Sequence, residues 1–279
     1  ITPATLVPDT PVRFEGFKPE NFDRRFRGAV PARTALAWSL NVPAVRELRE
    51  YGIPRFENRL RQWGMTTLDR SPDDYGLTLI LGGAEGRLVE IAALYAKLAE
   101  LASSAPGGGR EVRLLRDERE APSKMKDLGA AAAYLTLQAL TAVNRPDEEG
   151  FWRNFSSSKW VAWKTGTSFG LRDAWAVGVT PNYTIGVWAG NADGEGQPGL
   201  TGLAAAAPVL FDLLGVVDGG GRVERPWSGL KEVRVCRDSG FLATELCPAE
   251  PVWVPEESRF DRMCAFHQTV HLDGTAVRS

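Results

Sequence analysis

Apolar residues along this chain follow two different periods. Up to about residue 143 they recur at helical spacing. A short helix is predicted over residues 34–39, carrying Leu36 and Trp38. Asn41-Val42-Pro43 breaks it, and Pro43 then suits the first turn of a second helix running to about Tyr51. Residues 54–63 repeat that logic, with Phe56, Leu60 and Trp63 on one face and Gly64 as the stop. A short apolar run, 77–81, precedes Gly82-Gly83. Over residues 87–101, Leu88, Ile91, Ala92, Tyr95, Leu98 and Ala99 share one face, which predicts an amphipathic helix. Residues 106–109 read as a loop. Residues 130–143 are apolar almost all round and predict a buried helix.

Beyond that point the period drops to two. Strands are predicted over 159–164, 173–179 and 183–189, the last two joined by a turn at Pro181-Asn182. A glycine-rich loop at 191–199 leads to a closing helix over 202–214. Helices, then an antiparallel meander, then a helix make an α+β domain. The first 30 residues, rich in Pro, Asp, Arg and Phe, read as an extended segment wrapping a surface. Asp218 and the glycines 219–221 mark a linker, which divides a body of residues 1–221 from a tail of 222–279 with little periodicity.

Charge and length narrow the function classes. The 279 residues carry 33 Lys and Arg against 35 Asp and Glu, a net charge of −2. A dedicated nucleic-acid binder would show a basic excess, so no nucleic-acid partner is expected. No run of about 18 apolar residues exists. The most apolar stretch, 200–217, is interrupted by Pro208 and Asp212. The chain opens at Ile1 with no basic stretch ahead of an apolar one, and it reads as a fragment of a longer polypeptide. Both histidines, His267 and His271, lie in the tail. The body therefore has no Ser-His-Asp triad, and its general base must be Lys, Glu, Asp or Tyr.

Two short motifs carry candidate chemistry. Lys164-Thr165-Gly166-Thr167-Ser168 closes the first predicted strand and opens a turn. A lysine beside two hydroxyls can hold a carboxylate, and Gly166 lets a substrate backbone lie close to the strand. Ser39-Leu40-Asn41 falls between two helices. Each motif alone carries little. Their order, Ser-x-Asn and then Lys-Thr-Gly on an antiparallel strand, is that of the penicillin-interacting serine acyltransferase fold.

Longer stretches strengthen the likeness. "GFKPENFDRRFRGAVPARTALAWSLNVPAV" (16–45), "LILGGAEGRLVEIAALYAKLA" (79–99), "VAWKTGTSFGLRDAWAVGVTPNYTIGVWAGNADG" (161–194) and "VCRDSGFLATELCP" (235–248) resemble, in collinear order, the later part of the transpeptidase domain of the bifunctional class A penicillin-binding proteins, most closely their 1C type. The resemblance implies an α+β penicillin-binding/β-lactamase-like fold, incomplete at its N-terminus, plus a small cysteine-containing tail. It implies no cofactor. It implies peptidoglycan stem peptides ending in D-Ala-D-Ala and β-lactam antibiotics as partners, and a place on the periplasmic side of the inner membrane. Membrane contact and a glycosyltransferase domain would belong to a part upstream of Ile1.

By the same resemblance, Ser39 relays a proton and Asn41 hydrogen-bonds the substrate amide. Lys164 supplies positive potential, Thr165 and Thr167 bind the substrate carboxylate beside Gly166, and the Thr167 N–H forms half of the oxyanion hole. The family's nucleophile motif, Ser-x-x-Lys, is expected before Ser39, where residues 1–38 hold no serine. Ser123 with Lys126, Ser156 with Lys159 and Ser228 with Lys231 match the spacing but come too late in the order. Alternative readings are a serine β-lactamase or D,D-carboxypeptidase of the same fold, or a non-enzymatic cell-wall-binding remnant.

The tail holds all three cysteines, Cys236, Cys247 and Cys264. With His267 they form a candidate zinc set. Their spacing is irregular, however, and an extracytoplasmic place permits a disulfide. The expectation is therefore no metal, with a Cys236–Cys247 disulfide or free thiols.

Overall fold

A computed structural model describes residues 1–103, 125, 127–143, 160–217, 220–226 and 228–269. The expected loop at 106–109, Ser123 with Lys126, Ser156 with Lys159, Asp218-Gly219 and His271 lie outside the described residues. Strands β1 (Leu6–Asp9) and β2 (Gly28–Pro31) form an antiparallel pair within the segment expected only to be extended. Helices α1 (Ala32–Ala37), α2 (Asn41–Tyr51) and α3 (Ile53–Trp63) follow. Pro43 sits in the first turn of α2, where a missing N–H costs nothing. Gly64 ends α3 in the left-handed conformation, φ 115°.

The short helix α4 (Pro72–Tyr75) carries a capping box between Ser71 and Asp74. It runs into a 3₁₀ turn at Gly76–Leu81, the form taken by the apolar run before Gly82. Helices α5 (Leu88–Ser103) and α6 (Ala130–Leu140) come next. The meander is β3 (Ala162–Thr167), β4 (Asp173–Val179) and β5 (Thr184–Gly190), antiparallel in that order. A wide π turn at Gly202–Ala206 leads into α7 (Ala207–Val217). The change to α geometry falls just before Pro208, which has no N–H to give. The architecture is α+β, as expected.

One boundary needs correction. The first strand ends at Thr167 rather than at Lys164, so Lys-Thr-Gly-Thr forms its last four residues, because pairing with β4 continues to Thr167 opposite Ala174. The turn residues come afterwards, with Gly170 at φ 80°.

Opposite residues on adjacent strands share a face. Trp163, Ala174, Ala176, Ile185 and Val187 face α7 and form a core with Ala206, Ala207, Leu210 and Leu214. Ala162 and Val179, on the other face, join a second core with Leu101, Ala102, Ala133, Leu137 and Leu140 of α5 and α6. The sheet is thus covered on both faces. Each fully buried leucine or valine contributes about 1.5–3 kcal/mol.

The tail is more regular than its sequence suggests. Strand β6 (Leu230–Cys236) pairs antiparallel with β7 (Ala249–Pro255) in a hairpin. It docks on the first residues of the chain: Leu6 N donates to Ser239 O at 2.9 Å, and Thr5 Oγ1 donates to Gly240 O at 3.2 Å. Gly240 has φ 67°, and a Cβ there would lie 2.0 Å from Ala4 O, so only glycine fits this turn.

A Cβ at Gly178 would lie 3.1–3.4 Å from Cδ1, Cδ2 and Cγ of Leu210, which is fully buried. Gly178→Ala should cost about 1–3 kcal/mol through overpacking. Leu210→Ala should cost about 2–5 kcal/mol through the cavity it leaves. The double variant should lose less than the sum by about 0.5 kcal/mol or more, since the new methyl enters the vacated space. Urea midpoints measure all three; strict additivity would show that α7 does not seat on this strand.

Candidate active site

Ser39 owes its position to the way α1 ends. Ser39 N donates to Leu36 O at 3.2 Å and Leu40 N to Ala35 O at 3.0 Å. These two bonds make a Schellman stop, with Ser39 in the left-handed slot that glycine usually fills. Its φ is 54°, one of four positive values at non-glycine residues among the described residues. Such backbone costs an L-residue about 1–2 kcal/mol. The neighbours on α1 anchor the turn: Ala37 is buried in the α7 core, and Trp38 packs against both that core and the β1–β2 cluster.

Asn41 opens α2, whose first N–H groups lack a cap from their own segment. Asn21 supplies it from a distance, its Oδ1 accepting from Asn41 N at 2.9 Å and Val42 N at 3.4 Å. The Asn21 amide nitrogen donates to both oxygens of Asp9, at 2.8 and 3.0 Å, and to Arg25 O at 2.7 Å. Asp9 is fully buried and also accepts from Arg27 N at 2.9 Å. This buried relay fixes the start of α2 relative to β1. The Asn41 side chain itself donates to Glu20 O at 2.8 Å. Asp9 and Asn21 are positioning residues with no motif to announce them.

Lys164 meets Ser39 across 125 positions of sequence. Its Nζ hydrogen-bonds Ser39 Oγ and also donates to Thr165 O at 2.8 Å. An ammonium has donors only, so Ser39 Oγ accepts from it and keeps its own proton for another partner.

The register of β3 fixes which groups look outward. Ser168 N donates to Asp173 O, its opposite residue, at 3.0 Å. In an antiparallel ladder hydrogen-bonded pairs alternate, so Gly166 and Lys164 also bond toward β4. Thr165 and Thr167 then aim their N–H and C=O groups away from it. Among the described residues no strand covers that outer edge of β3. Thr165 and Thr167 side chains lie on the face opposite Lys164 and Gly166.

The turn before α7 closes on the same strand. Gly202 N donates to Thr167 Oγ1 at 3.0 Å. The Thr167 hydroxyl proton is then available to another acceptor. A Cβ at Gly202 would lie 2.4 Å from both Gly166 O and Trp175 O, so the approach requires glycine. A Cβ at Gly166 would meet Trp175 Cβ at an ordinary 3.5 Å, so interior packing does not demand that glycine. Asp173, beside the site, is structural in its contacts: its Oδ1 accepts from Trp188 Nε1 at 2.9 Å, and its N donates to Ser168 Oγ at 2.8 Å.

Ser39 therefore meets Lys164 on β3, where Thr165, Gly166 and Thr167 follow, while the Asn41 side chain turns to Glu20 O instead. Ser228 and Lys231 lie apart in the tail, where Lys231 Nζ donates to Ser258 O at 2.8 Å. Cys236, Cys247 and Cys264 are all unbridged, so the expected Cys236–Cys247 disulfide is not formed. They gather instead with His267, their ligating atoms all within 4.8 Å of one another.

No protein-family model matches the chain. Over 210 residues it is 38% identical to penicillin-binding protein 1C of Escherichia coli, covering 75% of this chain and 26% of that protein. It is 31% identical over 223 residues to penicillin-binding protein 1B of Vibrio cholerae, covering 76% and 28%. The chain thus spans little more than a quarter of the length of these curated relatives. Penicillin-binding protein 1A of Haemophilus influenzae shares the fold at TM-score 0.72 and 18% identity, over 95% of this chain and 46% of that one. PonA1 of Mycobacterium tuberculosis, in complex with penicillin V, does so at 0.62 and 22% identity, over 81% and 66%.

Ser39 separates backbone strain from its hydrogen bond. Ser39→Ala loses the bond to Lys164, worth about 0.5–1.5 kcal/mol, and keeps the strain. Ser39→Gly loses the same bond but relieves the left-handed backbone. Ser39→Gly should therefore be the more stable variant by about 1–2 kcal/mol in urea unfolding. Equal stabilities would mean that Ser39 is not held in this conformation.

Proposed function

Since this chain belongs to the class A penicillin-binding proteins, of their 1C type, we propose that it forms the substrate-recognition part of a peptidoglycan D,D-transpeptidase domain. The observation that carries this reading is the Lys164–Ser39 contact beside the uncovered edge of β3. Residues 1–221 would be the transpeptidase part and residues 222–279 a cysteine-containing connector.

In this reading a donor stem peptide lies along β3, adding a strand through the outward groups of Thr165 and Thr167. Its terminal carboxylate would lie at the outer edge of β3, between Lys164 on one face and the Thr165 and Thr167 hydroxyls on the other. The Thr167 N–H points to where charge develops on the penultimate D-Ala carbonyl oxygen. A serine of a Ser-x-x-Lys motif upstream of Ile1 would attack that carbonyl and form the acyl-enzyme. The departing D-Ala amine needs a proton. Ser39, whose oxygen is engaged by Lys164, is oriented to hand over its hydroxyl proton and be reprotonated from the lysine side. The amine of a second stem then resolves the acyl-enzyme as a cross-link. β-Lactams would follow the first half of this path.

The same reading places the chain on the periplasmic side of the inner membrane. No described helix is long and apolar enough to cross a membrane, so bilayer contact would come from another part of a longer protein.

Covalent labelling by a fluorescent penicillin, read by intact mass, tests the reading. A version extended upstream in its own gene through the nearest Ser-x-x-Lys should label, and the 279-residue chain should not. Lys164→Ala in the extended version should slow acylation by about 10²–10⁴-fold with an unchanged thermal melt. Labelling of the shorter chain, or of neither folded version, would overturn the proposal.

A further inference from the structure

Helix and sheet packing accounts for the body, but not for what holds the tail. A module as small as residues 222–279 buries only a marginal core alone, and modules of this size commonly rely on a metal or disulfides. No disulfide is present among the described cysteines.

Three separate segments deliver the four candidate ligands. Cys236 ends β6, Cys247 precedes β7, and Cys264 and His267 follow it. Cys236 and Cys264 are buried; Cys247 and His267 are half-buried. His267 Nδ1 lies 3.5 Å from Cys236 Sγ and 3.5 Å from Cys264 Sγ. A tetrahedron with Zn–S near 2.3 Å and Zn–N near 2.0–2.1 Å has S···N edges of about 3.6 Å. Both edges therefore match the spacing that a shared ion requires.

Two of the sulfurs accept hydrogen bonds from their surroundings. Thr244 N donates to Cys247 Sγ at 3.3 Å, and its hydroxyl lies 3.2 Å from the same atom. Ser239 Oγ donates to Cys264 Sγ at 3.2 Å. The far ring nitrogen of His267, Nε2, lies 3.2 Å from Asp238 Oδ2. That carboxylate is placed to accept a proton from Nε2 when Nδ1 serves as the ligand, the arrangement that orients a metal-binding imidazole.

We propose that Cys236, Cys247, Cys264 and His267 bind one zinc ion in a closed, four-ligand structural site, with Asp238 orienting His267. Soft thiolates with one imidazole select zinc over hard, oxygen-seeking cations. All four positions are filled by protein, so the site has no open place for catalysis. Binding releases the thiol protons and ties both strands of the hairpin to the segment that follows them. It also stiffens the turn bearing Ser239 and Gly240. Gly240 N donates to Cys236 O, and Cys236 N to Phe241 O, both at 2.8 Å. That turn is the one that grips Thr5 and Leu6.

Metal content of the whole purified chain tests this. Stripped and reduced protein is given Zn²⁺, separated from free ion and analysed by mass spectrometry for zinc per chain. Parallel samples take Co²⁺, whose spectrum reports tetrahedral thiolate ligation. About one zinc per chain, and intense tetrahedral cobalt bands, are expected for four protein ligands. Asp238→Asn should keep that stoichiometry while weakening affinity about 10–100-fold. Cys264→Ser should abolish retention, and a chelator should lower the melting temperature of the parent chain. His267→Cys, which supplies a fourth thiolate, should still bind one ion and thereby separates lost ligation from lost folding. An octahedral cobalt spectrum, zinc washing out of folded protein, or thiol counting that finds a Cys236–Cys247 bridge would each overturn the proposal.

Discussion

Helix α7 can approach the sheet closely because β4 turns its smallest side chains toward it. Ala174, Ala176 and Gly178 alternate on that face, and Ala206, Ala207 and Leu210 pack against them. Larger residues on either side would lift the helix away. The consequence reaches beyond packing, because the turn ahead of α7 then sits against β3 and β4 at Gly202 and places its N–H on Thr167. The outer edge of β3 is thereby braced from behind.

The second half of the site is held by a different kind of force. Ser39 and Asn41 stand on a turn between two short helices, too short to be stable alone. Buried polar groups fix them: Asp9 holds Asn21, and Asn21 caps α2. Every member of that relay has partners, which makes it rigid rather than costly. Apolar contact through Ala37 and Trp38 then joins the turn to the core beneath β3. Two independently braced pieces therefore meet at the Lys164–Ser39 hydrogen bond.

Much of this was legible in the chain. Helices α2 and α3 announce themselves because proline opens them and glycine follows them, and the apolar face of α5 repeats for four turns. Strands β4 and β5 stand out as short apolar runs bounded by turn residues. The reach of β3 was not legible, because a segment of hydroxyls and glycine has turn-like composition and its strand state comes from pairing with β4. The tail hairpin escaped notice because Val233 with Val235, and Val252 with Val254, give only one alternation per strand. For the site, the order of the two motifs hinted at Ser39 beside Lys164. The parts played by Asp9 and Asn21 had no local signal, since the cap comes from 20 positions upstream. The gathering of the cysteines was equally hidden, for spacing says nothing about segments that converge only in three dimensions.

The clasp between the tail and the first residues gives the fold an unusual order of assembly. Gly240 O receives a hydrogen bond from a threonine 235 positions earlier. Contacts so distant in sequence close late, because the intervening chain must first be gathered. During synthesis β1 emerges well before its partner turn at Ser239-Gly240, which follows only after the sheet and α7. The segment that leads into α1 must therefore wait, incompletely anchored, until that turn has been made. The bracing of the Ser39 turn is thus completed across the chain rather than locally.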